Sequence, residues 1–169
     1  MPAVQSSEIK FYLSSSSPSI GGSIADSGND IQSGALHNLF DVVDSTESAS
    51  PGQTAYRCFF VKNTNTSVTL QDAKVYFNES DLGANNSVAM AVAGEGVNSS
   101  VQQLADEETA PTTGSPSFTT PTSEETALTI GNIPAGEYQG IWIQRTITGG
   151  APAANALDFS VTVFGNTGA

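Results

Sequence analysis

Apolar and polar residues alternate along several short stretches of this 169-residue chain, at the two-residue period of a strand. Residues 8–13 put Ile9, Phe11 and Leu13 on one face, with Lys10 and Tyr12 on the other. Residues 56–62 form the strongest strand candidate. It lies between the turn signals Ser50-Pro51-Gly52 and Asn63-Thr64-Asn65-Thr66. Residues 68–70 and 73–77 predict an interrupted strand pair or one long bent strand. The small and medium apolar residues of 88–93 suit a strand covered on one side and partly on the other. Loops dominate 94–125, with short strand candidates at 101–104 and 117–119. Pro111, Gly114 and Pro116 exclude a central strand between those two. A strand at 127–130, a turn over 131–136, a long strand at 137–147 and a last strand at 157–164 complete the series. In 137–147, Tyr138, Ile141, Ile143 and Arg145 do not all share parity. Either a kink lies near Gly140 or both faces are covered.

About eight strands, turn signals between them and no intervening amphipathic helix predict an all-β fold. A two-sheet antiparallel sandwich buries the apolar side of each one-faced strand. Residues 51–169 form its body, and residues 1–50 a first strand followed by an extended N-terminal arm. From residue 14 the arm is rich in Gly, Ser and Asp, yet it carries Ile20, Ile24, Ile31, Leu36, Leu39 and Phe40. A structureless stretch of this length is uncommon unless it does something, and its apolar residues need a surface. That surface is this domain's own flank or a neighbouring subunit. These six residues are the candidate protein-interface anchors.

Charge narrows the partners. Seventeen acidic against five basic residues leave a formal net charge of -12. Such a surface repels phosphate and anionic lipid, so neither nucleic acid nor a membrane is an expected partner. The start of the chain has no basic and apolar leader pattern, and no apolar run has the length of a membrane span. Synthesis in a cytoplasm is the expectation.

Candidate chemistry is sparse. One cysteine, Cys58, excludes an internal disulfide and reads as a small buried hydrophobe. With a single histidine, His37, Cys/His metal sites fail. His37 and Asp41 would share a helical face, where a local polar pair is the plainer reading. The oxygens of Asp26-Ser27-Gly28-Asn29-Asp30 suit calcium, but the downstream bidentate Glu of an EF-hand loop is missing. No nucleophile elbow surrounds a serine, and no glycine-rich phosphate loop precedes a helix. Trp142, between isoleucines, reads as core. No catalytic residue, metal or cofactor is predicted, and the chain is read as a non-enzyme.

Two segments carry a resemblance. Phe60-Val61-Lys62-Asn63-Thr64 with 68–77, and Leu128-Thr129-Ile130-Gly131-Asn132-Ile133-Pro134-Ala135-Gly136-Glu137-Tyr138, resemble immunoglobulin-like adhesion and scaffold modules. Together with Leu39-Phe40-Asp41-Val42-Val43, Tyr56-Arg57-Cys58 and 141–146, the chain resembles small virion structural proteins of tailed bacteriophages. The resemblance covers most of residues 8–164 and carries no catalytic motif. It implies an immunoglobulin-like sandwich in a virion assembled in the host cytoplasm. The role implied is a capsid decoration (cement) protein on the major capsid protein, or a neck, tail or baseplate subunit, with homo-oligomers allowed. A receptor- or glycan-binding module would instead use the loops at 78–87, 106–125 and 148–156. Those loops hold no Trp or Tyr to stack on sugar.

Overall fold

The computed structural model describes residues 3–25, 39–41, 49, 51–151 and 158–167. Seven strands run along them: β1 (Ile9–Leu13), β2 (Gly52–Asn63), β3 (Leu70–Asp81), β4 (Asn86–Val92), β5 (Leu128–Ile133), β6 (Tyr138–Thr148) and β7 (Asp158–Thr167). Every pairing is antiparallel. They form a four-stranded sheet of order β1-β2-β6-β4 and a three-stranded sheet of order β5-β3-β7. The all-β class and the two-sheet architecture match the alternation, with seven strands among the described residues. The short candidates at 101–104 and 117–119 supply isolated bridges instead, Gly22 to Val101 and Met90 to Thr119.

The candidates at 68–70 and 73–77 merge into one long strand, which begins at Leu70. β3 runs unbroken but loses register near Leu70–Lys74, where Asp72 takes a left-handed φ of 49°, and again near Phe77–Glu79. Its partner β5 continues through the sequence 131–133, where a turn was expected. Gly131, at φ +94°, absorbs the irregularity opposite Ala73.

The inner faces of the two sheets share one core. Phe59, Val61, Met90, Ile141 and Ile143 meet Leu70, Val75, Phe77 and Ile133 across it. The outer face of the four-stranded sheet is covered too. There Tyr56, Cys58, Phe60 and Trp142 lie beneath Ile20, Val101 and Leu104, with Ile24 and Phe118 at the margin. β2 is consequently buried at every residue from 55 to 61. β6 is buried on both faces as well, which accounts for its mixed parity without a kink. Burying an Ile, Val or Leu side chain contributes about 1.5–3 kcal/mol each. Ile20, Val101 and Leu104 therefore hold the loops to the sheet.

Those loops also complete the ladder. β1 pairs with β2 only as far as Leu13 opposite Phe59. Beyond that point the Cys58 N–H donates to the Ser19 carbonyl and the Tyr56 N–H to the Glu107 carbonyl, both at 2.7 Å. At the other end of β1, the Thr64 N–H and hydroxyl both donate to the Glu8 carbonyl at 2.8 Å. The Glu8 carboxylate accepts from the Asn65 amide and the Gln5 N–H, which hold its pKa below the ordinary carboxylate value.

The loop layer depends on close backbone approaches, one of them at Gly94. A Cβ on Gly94 would lie 2.5 Å from the Gly114 Cα and 3.0 Å from the Thr113 carbonyl oxygen. Both are main-chain atoms, so no rotamer change relieves the clash. Gly94→Ala should lower stability by about 1–3 kcal/mol, the usual cost of overpacking. A reduced urea midpoint at unchanged slope would report it, and an unchanged midpoint would refute it.

Candidate functional site

Two of the five basic residues, Arg57 and Arg145, lie buried on the inner face of the four-stranded sheet. They are near neighbours because Ala55 on β2 stands opposite Arg145 on β6. An isolated buried guanidinium would be costly, so each needs partners. The arm residues Leu39, Phe40 and Asp41 provide them. Arg57 Nε donates to the Leu39 carbonyl at 3.1 Å, and Arg145 Nη1 to the Asp41 carbonyl at 2.6 Å. Arg57 Nη2 also pairs with the Glu107 carboxylate and lies 3.6 Å from Asp41 Oδ2. Glu107 is the stronger partner, because the Asp41 side chain is 79% exposed and screened by water. Phe40 sits against both guanidinium groups, 5.3 Å from Arg57 Cζ and 4.7 Å from Arg145 Cζ to the ring centre. Its ring also meets Phe159 at 6.4 Å. This cluster closes one end of the sandwich with a piece of the arm.

The predicted anchors therefore divide. Ile20 is buried under the outer face of the four-stranded sheet, with Ile24 packed beside it. Phe40 is buried in the central core, with Leu39 packed against it. These four lie on this domain's own flank. Ile31 and Leu36 lie outside the described residues, as do His37 and the oxygen-rich string 26–30. Among the described residues no three His, Cys, Asp or Glu side chains converge as metal ligands.

Cys58 and Trp142 stand directly opposite each other on β2 and β6, both fully buried. Burial pushes the Cys58 thiol well above its ordinary range, and the Glu95 carboxylate acts in the same direction. The folded protein should therefore leave Cys58 unreacted with an aromatic disulfide reagent at about pH 8, since the thiolate is the nucleophile. One thiol per chain should appear as denaturant unfolds it. Rapid labelling of the native protein would contradict this placement.

The outer face of the three-stranded sheet differs from every other sheet face. It presents Lys74 and Tyr76 from β3 with Thr162 and Phe164 from β7, all half-buried, and no described loop packs over it as one does over the four-stranded sheet. Tyr76 and Phe164 pack edge to face at 6.0 Å. Sequence reasoning did not single this pair out, because a Tyr and a Phe so far apart along the chain become neighbours only through the β3–β7 register. Elsewhere a solvent-open depression of about 400 Å³ is lined by Lys62, Thr64, Asn65, Thr66, Ala135 and Gly136. Thr64 and Asn65 there are already engaged with Glu8. The surface thus offers an aromatic patch on a rigid sheet, suited to protein contact. Compared with known proteins, the chain matches no family model, no curated protein and no solved structure.

Proposed function

We propose that this chain is a non-catalytic structural protein of a tailed-phage virion, a capsid decoration protein that packs on the outer surface of the major capsid protein. The observation that carries the reading is the half-buried Tyr76–Phe164 pair on the one sheet face over which no described loop packs. Aromatic side chains on a rigid sheet give contact area at low entropic cost, which is what a subunit-binding surface needs. Charge supports the same role. With Arg57 and Arg145 buried, the exposed surface is more acidic than the net charge of -12 implies, which suits a partner surface that is basic. The virion assignment itself rests on the resemblance carried by residues 60–77 and 128–138.

The sandwich is immunoglobulin-like in its layers of four and three antiparallel strands. Its strand order is its own. A constant-type immunoglobulin sheet places the fifth strand beside the second, whereas here the sixth occupies that place. The three-stranded sheet is likewise centred on the third strand and not the sixth. The likeness is therefore one of architecture and not of connectivity.

Extraction of purified particles with rising denaturant, following this protein beside the shell and tail proteins, tests the proposal. Release from intact heads that then burst at lower temperature is the expected result. Co-fractionation with detached tails would move it to the neck, tail or baseplate, and absence from particles would end the virion reading.

A further inference from the structure

A sheet edge left open is a template for another strand, and proteins normally guard it. Most edges of this molecule are guarded. On β4, Met90 exchanges both backbone hydrogen bonds with Thr119, at 2.8 and 3.0 Å, and the Thr120 hydroxyl donates to the Val88 carbonyl. β1 is five residues long, carries Lys10 and runs into the Ser14–Ile24 bridge. The uncovered stretch of β2 is closed by Ser19 and Glu107. β5 is six residues long and bent at Gly131.

β7 differs. It is ten residues long, and among the described residues it is paired on one side only, to β3. From Phe159 to Thr167 it has no charge and no proline. Its apolar residues alternate cleanly: Phe159, Val161 and Val163 pack on the core, while Thr162 and Phe164 share the open face with Tyr76. Its one charge is Asp158, at the first residue of the strand, and the irregularities of the β3–β7 pairing put their extra residues on β3 and not on β7.

We infer that β7 is a dimerisation edge: two copies of this chain pair their β7 strands antiparallel about a two-fold axis. Charge confines any contact between two copies to this edge. Two chains of net charge -12 repel one another and can approach closely only where carboxylates are absent. Phe159–Thr167 meets that condition, and the neighbouring strand confines its acids to the ends, Asp72 at one and Glu79 and Asp81 at the other, with Lys74 between. An edge paired with itself about a two-fold axis is closed, so it forms a dimer and not a filament. The joined sheet has six strands, three from each copy, and carries two Tyr76–Phe164 pairs on one continuous face. The inference does not depend on the virion reading.

Sedimentation velocity of the full chain over a range of concentrations tests it. A reversible monomer–dimer equilibrium that tightens with added salt is expected, because salt screens the repulsion while the ladder is uncharged. Thr162→Asp combined with Phe164→Asp puts carboxylates on both strands of the new ladder and should abolish the dimer over the same range. Thr129→Asp, on β5 of the same sheet, should leave it intact. A wild-type monomer at all concentrations would overturn the inference, as would a dimer indifferent to the double substitution. Should the double variant fail to fold, amide exchange of the wild-type protein decides. Protection of β7 amides that rises with protein concentration supports the pairing. Protection independent of concentration means that the edge is covered within the chain or not at all, and overturns it.

Discussion

Phe40→Ala is expected to lower the stability of the folded chain by about 3–5 kcal/mol, the range for removing a buried Phe. Phe40 is 8% exposed, and its ring fills the end of the core between Arg57, Arg145 and Phe159. Against a total stability of about 5–15 kcal/mol for a typical domain, that is a large fraction. The loss has two parts. One is the cavity left beside Phe159. The other is the attraction between the ring face and two guanidinium groups, about 0.5–2 kcal/mol for each contact depending on burial. Phe40→Leu separates them, since it keeps most of the volume and removes the π face. It should retain more than half of the lost stability. Urea denaturation of both variants measures the split, and limited proteolysis should show new cleavage near residues 39–41 in the Ala variant alone. If Phe40→Ala unfolded at the wild-type midpoint, the arm would not be part of the core.

Asn63→Ala should cost about 2–4 kcal/mol, because it leaves several buried backbone groups without partners. Asn63 is fully buried at the end of β2. Its amide nitrogen donates to the carbonyls of Val68 at 2.8 Å, Ile133 at 3.0 Å and Pro134 at 3.3 Å, while its oxygen accepts from the Asn65 N–H at 3.1 Å. One side chain thus ties the four-stranded sheet to β5 of the other sheet and to both turns at that end. Asn63→Asp is the sharper variant. It keeps the shape and the accepted bond, but replaces the donor by a carboxylate facing three carbonyl oxygens. It should destabilise at least as much as Ala at neutral pH and recover on acidification, when the carboxyl regains a proton to donate. A midpoint for Asn63→Asp that does not improve in acid would show that the donated bonds are unimportant.

How much of this could be read beforehand differs from element to element. Strands β1, β4, β6 and β7 lie within a few residues of the stretches whose alternation predicts them, because one apolar face buried against a core imposes a two-residue period. Cys58 and Trp142 were legible as core from their immediate neighbours. β5 was read too short, since Gly131 signals a turn locally while its partner β3 carries the irregularity that lets the strand continue. Arg57 gave no signal at all. Nothing beside it in the run 56–61 marks it as buried, because the groups that make its burial tolerable, Glu107 and the arm residues Leu39, Phe40 and Asp41, are distant in sequence.

The all-β class, the approximate strand positions, the acidic surface and the absence of an internal disulfide were all written in the chain, because each follows from local periodicity, composition or a count. Tertiary structure alone decided which strands neighbour one another and that the four-stranded sheet is covered on both faces. It also placed Ile20, Ile24, Leu39 and Phe40 against the chain's own body, and it left the β7 edge and the Tyr76–Phe164 face open among the described residues. The physical reason is that burial and edge pairing depend on contacts between residues distant in sequence. Alternation states that a strand has an apolar side, but not what lies against it.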